Sequence, residues 1–165
     1  MSHAPFRIDL RNLPPEGRDL AGSVLPAFFD LRENDDIKAV SPLTYELNVL
    51  LDNKDLLITG KVDATFELMC GRCLQRFQQR VEMDDYQTEI AVEDPAATID
   101  LTDAIREDIL LALPSYPRCE DGNVEPRECP AQGRFEPAAD ESAPDKSAEA
   151  QAPGVWNVLD QLKNR

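Results

Sequence analysis

The sequence predicts an α+β fold that is mostly antiparallel β-sheet, with one main covering helix and a short C-terminal helix. Three observations support this prediction. Apolar and polar residues alternate over two adjoining stretches in the middle of the chain, as they do in half-buried strands. A helical pattern of apolar residues follows, and a shorter one closes the chain. The 165 residues, of which 42% are hydrophobic, suffice for one such domain with its tails.

The first 40 residues carry the weakest structural signals. Residues 6–10 alternate like a strand. Residues 20–31 are rich in leucine, valine and phenylalanine, and we interpret them as a short helix that is interrupted near Pro26. Strand character resumes at Ile37 and continues into the centre of the chain.

A long hairpin is the clearest signal in the chain. Alternate residues from Leu43 to Leu51 are apolar, and nearly the same alternation runs from Leu56 to Leu68. Residues 52–55 separate the two stretches and have the composition of a turn. The pattern predicts an antiparallel hairpin with one buried face, and Cys70 continues that face beyond the second strand.

Two further strands and the main helix are predicted after this hairpin. The segment after Cys73 fits either a helix, with Leu74, Phe77 and Val81 on one face, or a strand, with Phe77, Val81 and Met83 on one face. We favour the strand, which places the cysteines at 70 and 73 at the turn of a second hairpin, and residues 86–92 predict another strand. Residues 99–113 predict a helix that Asp100 can cap and Pro114 stops. The sheet could curl toward a barrel, covered by this helix. The apolar stripe of the helix consists of Leu101, Ile105, Ile109 and Ala112.

Composition divides the chain into three parts. Residues 1–131 form the α+β domain with its Cys-x-x-Cys knuckle. Residues 132–153 are acidic and rich in proline and alanine, and they predict a disordered linker because they cannot bury enough apolar surface. Residues 154–165 place apolar side chains, including Trp156, on one helical face. They predict a short anchor helix that docks on the domain or on a partner, with a frayed tail as the alternative.

The charge and the N-terminal sequence restrict partners and compartment. The net charge of −15 opposes unspecific binding to nucleic acid. Contact with RNA then needs a local basic patch, and the alternative is a basic protein as partner. The sequence shows no secretory signal and no apolar stretch of membrane-spanning length. We therefore expect a cytoplasmic protein with reduced thiols and no membrane partner.

The four cysteines, at positions 70, 73, 119 and 129, are the candidate site. In a reducing compartment such cysteines are more often metal ligands or redox thiols than disulfides. Cys70 and Cys73 can supply two ligands of a tetrahedral zinc ion, and Cys119 and Cys129 the other two. Nine residues separate the second pair, which is not knuckle spacing. We predict a structural zinc site formed by all four.

Two other interpretations of the cysteines stay open. The thiols could be reduced and hold no metal. The knuckle could instead be a redox pair of the thioredoxin type, in which a helix N-terminus lowers the thiol pKa. That fold needs βαβ crossovers, whereas the segments that flank Cys70 and Cys73 have the pattern of hairpins. The redox interpretation is therefore disfavoured.

Three arginines next to the knuckle form a local basic patch in the acidic chain. Arg72, Arg76 and Arg80 follow one another at four-residue spacing, and no acidic residue lies between positions 71 and 81. They could contact RNA phosphates. The alternative is a solvated strand face whose arginines pair with acids such as Glu67 or Glu82.

No catalytic constellation is visible in the sequence. The single histidine, His3, lies near the N-terminus, and no glycine-rich phosphate-binding loop is present. We therefore do not expect an enzyme.

Four segments carry a family resemblance. They are Phe-Glu-Leu-Met-Cys-Gly-Arg-Cys-Leu-Gln-Arg-Phe at 66–77, Ile-Asp-Leu at 99–101, the stretch from Glu107 through Leu-Ala-Leu-Pro to Cys119, and the closing segment 153–163. In these segments the chain resembles the YceD-type family, the large ribosomal RNA subunit accumulation proteins of bacteria and plastids. The resemblance extends from about Leu43 to Cys119 and over the tail.

The resemblance implies a non-enzymatic role in the accumulation of large-subunit ribosomal RNA, through its synthesis, processing or assembly. It also adds weight to the four cysteines as the site. The implied partners are the ribosomal RNA precursor, basic ribosomal proteins of the large subunit, or both. The arginines could grip RNA while the acidic surface faces away, or that surface could hold and shield a basic ribosomal protein. We favour the second arrangement.

Two functions outside this family remain alternatives. One is a thiol oxidoreductase that uses the Cys-x-x-Cys pair. The other is a zinc-stabilised protein-interaction module that is unrelated to ribosomes.

Overall fold

The computed structural model describes residues 5–32, 35–94 and 96–134. The chain divides into two units, Met1–Phe135 and Glu136–Arg165, and all described residues lie in the first. His3, most of the predicted linker and the whole predicted C-terminal helix lie outside the described residues. The predictions made for them stay predictions.

The described residues form seven strands and one α-helix. The strands are β1 (Arg7–Asp9), β2 (Arg18–Val24), β3 (Ile37–Ala39), β4 (Leu43–Asp52), β5 (Asp55–Met69), β6 (Arg76–Ala91) and β7 (Thr98–Asp100). The helix α1 spans Thr102–Leu111, and 3-10 helices span Leu10–Asn12, Pro26–Phe29 and Cys119–Asp121. No helix in this part of the chain has the length and apolar character needed to span a membrane.

Strand β5 is the centre of the main sheet. It pairs antiparallel with β6 on one side and with β4 and then β3 on the other, while β2 pairs with the outer edge of β4. Strands β1 and β7 form a separate antiparallel pair. The prediction of a mostly antiparallel sheet with one covering helix is confirmed. The prediction that the sheet could curl toward a barrel is wrong, because β2 and β6 do not pair and the sheet stays open.

The predicted central hairpin is confirmed as β4 and β5. Its turn places Asp52 opposite Asp55, and Asn53 adopts the left-handed conformation that asparagine tolerates in turns. One face of the hairpin packs into the core, as the alternation predicts. The buried side chains of this face are those of Leu43, Tyr45, Leu47, Val49, Leu56, Ile58, Val62, Ala64, Phe66 and Leu68.

A β-bulge explains why two strands were predicted where one exists. Gly60 pairs with Tyr86 and Val62 with Met83, so β6 carries one extra residue at this point. The extra residue changes which alternate positions of β6 face the core. Gly60 has φ of +146°, and a Cβ there would lie 2.0 Å from the carbonyl oxygen of Glu46. Only glycine fits at this position.

Two predictions near the N-terminus and the helix need correction. The helix predicted over residues 20–31 is wrong for its first part, because Arg18–Val24 form strand β2 and pairing with β4 satisfies their backbone groups. Within the predicted range only Pro26–Phe29 is helical, as a 3-10 helix. The main helix begins at Thr102 instead of residue 99, because residues 98–100 pair with β1 as β7. Asp100 still accepts a hydrogen bond from the Thr102 amide at 3.0 Å.

Helix α1 packs its apolar stripe into the same core as the buried face of the sheet. Leu101, Ile105 and Ile109 are buried as predicted, whereas Ala112 is exposed and Leu113 takes its place in the core. Two polar contacts also hold the helix. The Tyr86 hydroxyl donates to Asp108 at 2.8 Å, and Arg106 donates to the carbonyl of Phe28 at 2.8 Å.

Candidate metal centre

The turn between β5 and β6 presents the first two cysteines. Cys70 follows the last residue of β5, and its amide donates to the Gln75 carbonyl at 2.9 Å. The Leu74 amide donates to the Cys70 carbonyl at 2.9 Å, and Leu74 has φ of +59°. These bonds close a tight knuckle that holds the sulfurs of Cys70 and Cys73 on one side.

The segment after α1 packs directly on this knuckle. The Gly71 amide donates to the Pro117 carbonyl at 2.8 Å, and the Tyr116 hydroxyl donates to the Gly71 carbonyl at 3.2 Å. A Cβ at Gly71 would lie 2.8 Å from the Tyr116 ring, so the absence of a side chain permits this close approach. The contact brings Cys119, two residues after Pro117, next to the knuckle.

The loop between Cys119 and Cys129 runs along the free edge of β6. The Asn123 side chain accepts from the Arg80 amide at 2.7 Å and donates to the Arg80 carbonyl at 2.9 Å, as a neighbouring strand would. Arg127 donates to the Arg76 carbonyl at 3.1 Å. The nine-residue separation of the two cysteines is thus explained, because the loop covers the sheet edge before it returns to the site.

The four cysteine sulfurs form one compact cluster. All of them lie within 4.8 Å of one another, with Cys73 and Cys119 at 3.8 Å and Cys70 and Cys129 at 4.0 Å. A zinc ion with Zn–S bonds of about 2.3 Å needs sulfurs about 3.8 Å apart. A disulfide needs about 2.05 Å, and all four cysteines are free. The spacing therefore fits a shared metal ion better than any disulfide.

Burial and hydrogen bonding shift the pKa values of these thiols in different directions. Burial raises the pKa of Cys70, but the backbone amides of Cys73 and Arg72 donate to its sulfur and lower it to about 6. Burial raises the pKa of Cys119 to about 12, although a hydrogen bond from Arg127 opposes this.

Cys129 completes the electrostatic description of the cluster. The backbone amide of Ala131 lowers its pKa, but burial and the neighbouring sulfurs of Cys73 and Cys70 leave the net shift upward. Three of the four side chains are buried, and that of Cys73 is half-buried. Such a set of soft sulfur donors, shielded from water, could hold one metal ion.

The three arginines of the predicted basic patch all take part in ion pairs. Arg72 pairs with Glu120 at 3.1 Å, and Arg76 pairs with Glu67 at 3.2 Å. Arg80 pairs with Asp63 and also lies 3.2 Å from Glu82. These ion pairs agree with the alternative interpretation, in which the three arginines pair with nearby acids. RNA contact by the same residues stays a prediction.

The outer face of the main sheet is polar and predominantly acidic. A shallow pocket of about 420 Å³ on this face is lined by the side chains of Glu46, Asp63, Glu82 and Asp84, among others. Lys61 is the one basic residue of that lining and pairs with Asp84 at 3.0 Å.

Comparison with known families decides where the chain belongs. The model of the family described as large ribosomal RNA subunit accumulation protein YceD matches residues 82–163. The chain belongs to the YceD family. This confirms the resemblance that the sequence segments carry. A search of curated proteins found no match, and neither did a search of solved structures.

The YceD match covers only half of the cysteine cluster. It includes Cys119 and Cys129 and begins after Cys70 and Cys73. The knuckle is nevertheless part of the same cluster, because all four sulfurs meet within 4.8 Å.

Sequence reasoning missed the residues that assemble the cluster. Glu120, Asn123, Arg127 and Tyr116 hold the second pair of cysteines against the first pair. One signal was available in the sequence. Arg72 precedes Cys73 and Glu120 follows Cys119, and the two side chains carry opposite charges. The contacts of Asn123 and Arg127 depend on the loop path, which no local pattern encodes.

Proposed function

We propose that this protein is a non-enzymatic, cytoplasmic factor in the accumulation of large-subunit ribosomal RNA, acting in RNA processing or ribosome assembly. The observation that carries this proposal is the match of residues 82–163 to the YceD family. The description of that family names the process but not the molecular step. The net charge of the chain restricts the kind of partner, and the cysteine cluster indicates a structural metal ion.

Zinc is the metal that the cluster fits best. Four thiolates are the donor set of structural zinc sites, whereas magnesium and calcium prefer oxygen ligands. Cys70, Cys73, Cys119 and Cys129 would hold the ion, and four protein ligands would leave no open position for a substrate. The role of zinc would then be structural, joining the knuckle to the loop that covers β6.

The redox alternative explains fewer of the observations. A pKa of about 6 at Cys70 suits a reactive thiol as well as a metal ligand. However, a redox pair needs only two cysteines, and here two more lie within 4.8 Å. The knuckle also joins two antiparallel strands rather than opening a helix. A metal site accounts for all four sulfurs.

A basic ribosomal protein is the partner that the charge distribution favours. The net charge of −15 repels RNA and attracts basic polypeptides. The arginines at 72, 76 and 80 are paired with acids, which reduces the positive charge they could offer to phosphates. We propose that the acidic surface holds a basic large-subunit protein and shields it before it meets RNA.

Depletion of the protein in its own cells tests the proposed function. We expect the ratio of large-subunit to small-subunit ribosomal RNA to fall and to recover with the intact gene. A Cys129→Ser variant should restore it only in part, because it removes one metal ligand. An unchanged ratio after complete depletion would reject the proposal.

Binding to purified large-subunit proteins tests the partner. We expect a complex that dissociates as the salt concentration rises, because screening weakens attraction between opposite charges. A complex that is insensitive to salt would contradict the role of the acidic surface.

A further inference from the structure

An apolar groove lies beside the knuckle, between the end of β5, strand β3 and the end of α1. Its volume is about 580 Å³. The wall is formed mainly by aliphatic side chains and proline rings, including Ile37, Leu68, Met69, Leu110, Leu113 and Pro114. We call it the knuckle groove.

Large apolar side chains at the rim of the knuckle groove are exposed to solvent. Leu111 on the α1 side is 73% exposed, and Leu74 on the knuckle side is 68% exposed. Next to Leu74, Tyr116 is 55% exposed. In the described part of the chain these are three of six large hydrophobic side chains with high exposure. Leu74 and Leu111 line the groove itself, and Tyr116 lines the adjoining pocket that shares Leu74. Such neighbouring exposed apolar side chains are typical of a protein-interaction site.

Neither the backbone conformation nor the packing at position 74 favours leucine over a smaller or polar residue. Its φ of +59° is left-handed, a conformation that glycine and asparagine adopt more easily than leucine. The side chain is also mostly exposed, so it contributes little to the core. A contact with another molecule would explain why an apolar residue occupies this place.

The charges around the knuckle groove select the kind of partner. Asp36 is the single charged residue among the described residues that line it. Glu107 lies one helical turn before Leu111, on the same exposed face of α1. The lining of the groove itself contains no lysine or arginine. Arg72 and Arg118 line the neighbouring pocket that shares Leu74, but both pair with Glu120, at 3.1 and 3.8 Å, which reduces the positive charge they could offer to a phosphate. Acidic groups beside apolar walls suit a segment that is both apolar and basic.

We propose that the knuckle groove binds an apolar segment of a basic polypeptide. The proposal rests on the proposed function and deepens it, because it gives the docking site for the basic ribosomal protein. Apolar side chains of the partner enter the groove between Leu74 and Leu111, and its lysines or arginines approach Asp36 and Glu107. Because the knuckle fixes the position of Leu74, metal binding at the cysteines also maintains one wall of the site.

Peptide binding to the full chain tests this assignment. The probe is a fluorescent peptide of about 15 residues, built from lysine with leucine at every third or fourth position. One matched probe has serine for leucine, and another has glutamate for lysine. We expect fluorescence anisotropy to show tight binding of the lysine–leucine probe alone. Equal binding of either matched probe would overturn the proposal.

Substitutions at the rim locate the site. Leu74→Asn suits the left-handed backbone and Leu111→Gln suits the helix end, so neither should disturb folding. We expect each to weaken the lysine–leucine probe about tenfold. Leu25→Gln is the matched control, because Leu25 is 74% exposed and lies outside the groove, and it should bind normally. Unchanged affinity in both rim variants would place binding elsewhere and reject the groove.

Two competing occupants are separated by the same assay. A single-stranded RNA probe that binds the intact chain and is lost in Leu74→Asn would make the groove an RNA site. The second competitor is a peptide with the sequence of residues 153–165. If it displaces the fluorescent probe at a lower concentration than the unlabelled lysine–leucine peptide does, the occupant of the groove is this chain itself. Either result overturns the proposal.

Failure of this inference differs from failure of the proposed function. If both rim variants keep a salt-sensitive complex with large-subunit proteins, the groove assignment is wrong and the proposed function stands. If the intact chain forms no such complex and its depletion leaves the ribosomal RNA ratio unchanged, both fall.

Discussion

An ion pair between Arg72 and Glu120 joins the knuckle to the segment that carries Cys119 and Cys129. Their Nη1 and Oε1 atoms lie 3.1 Å apart, and the side chains are only 19% and 24% exposed. Arg72 precedes Cys73 and Glu120 follows Cys119, and the sulfurs of these two cysteines are 3.8 Å apart. The ion pair therefore fixes the separation of two candidate ligands from outside the sulfur cluster.

We predict that Arg72→Gln weakens metal binding about tenfold, as loss of an outer contact commonly does. The substitution removes a positive charge next to a centre that four thiolates make negative, and it frees the loop that carries Glu120. Competition with a chromophoric chelator measures the affinity. Arg76→Gln is the control, since its pair with Glu67 joins β6 to β5 and not the two cysteine segments. Equal losses in both variants would contradict the special role of Arg72.

Asn123→Ala should loosen the loop that covers β6. The substitution removes two hydrogen bonds to the backbone of Arg80, at 2.7 and 2.9 Å. We expect unfolding to require about 1–2 kcal/mol less free energy, and the Arg80 amide to exchange hydrogen faster. Asn48→Ala is the control, because among the described residues the Asn48 side chain bonds only the side chain of Asp19 and no backbone group. Unchanged exchange at Arg80 in Asn123→Ala would show that the loop does not depend on this clamp.

Gly60→Ala should destabilise the fold by more than about 3 kcal/mol. The added Cβ would meet the Glu46 carbonyl oxygen at 2.0 Å, and φ of +146° is unfavourable for alanine. Gly133 also has positive φ, but a Cβ there meets nothing within 4 Å. Gly133→Ala should therefore cost only the strain of the left-handed backbone, about 1–2 kcal/mol, in a denaturant titration. Similar costs at the two positions would refute the steric explanation.

The hairpins could be predicted from the sequence because one buried face imposes alternation. The two arms around residues 52–55 and the position of Cys70 and Cys73 at the next turn both follow from this local rule. The bulge of β6 opposite Gly60 was missed, although the sequence carries a sign of it. Along β6 the apolar residues change from odd-numbered to even-numbered positions, as an extra residue requires. Glycine inside a strand pattern is the second signal for such a bulge.

The remaining errors concern contacts between distant segments. Residues 20–31 have enough apolar content for the predicted helix, and the pairing of Arg18–Val24 with β4 that makes the first part a strand is not encoded locally. Closure into a barrel likewise depends on whether β2 and β6 pair, and the loop anchored by Asn123 covers β6 instead. The four cysteines could be grouped by their chemistry, whereas the residues that bring them together could not.

Tyr86 predicts a loss of stability at alkaline pH. Burial and the hydrogen bond to Asp108 raise the pKa of its hydroxyl far above the ordinary value of about 10. The unfolded chain then loses this proton at lower pH than the folded chain. The stabilisation is fully present below about pH 10 and is lost as pH rises further.

The absorbance of tyrosinate measures this effect. We expect one tyrosine to ionise only as the protein unfolds at high pH, and this step to be absent from Tyr86→Phe. Ionisation of Tyr86 near its ordinary pKa in the folded protein would contradict the buried contact with Asp108.

Elemental analysis of the intact protein, purified without added metal or chelator, tests the central claim most directly. The account predicts about one zinc ion per chain, four thiols that react slowly, and loss of the zinc in Cys129→Ser. The absence of metal, with four thiols that react rapidly and a fold that Cys129→Ser leaves unchanged, would contradict the four-cysteine zinc site.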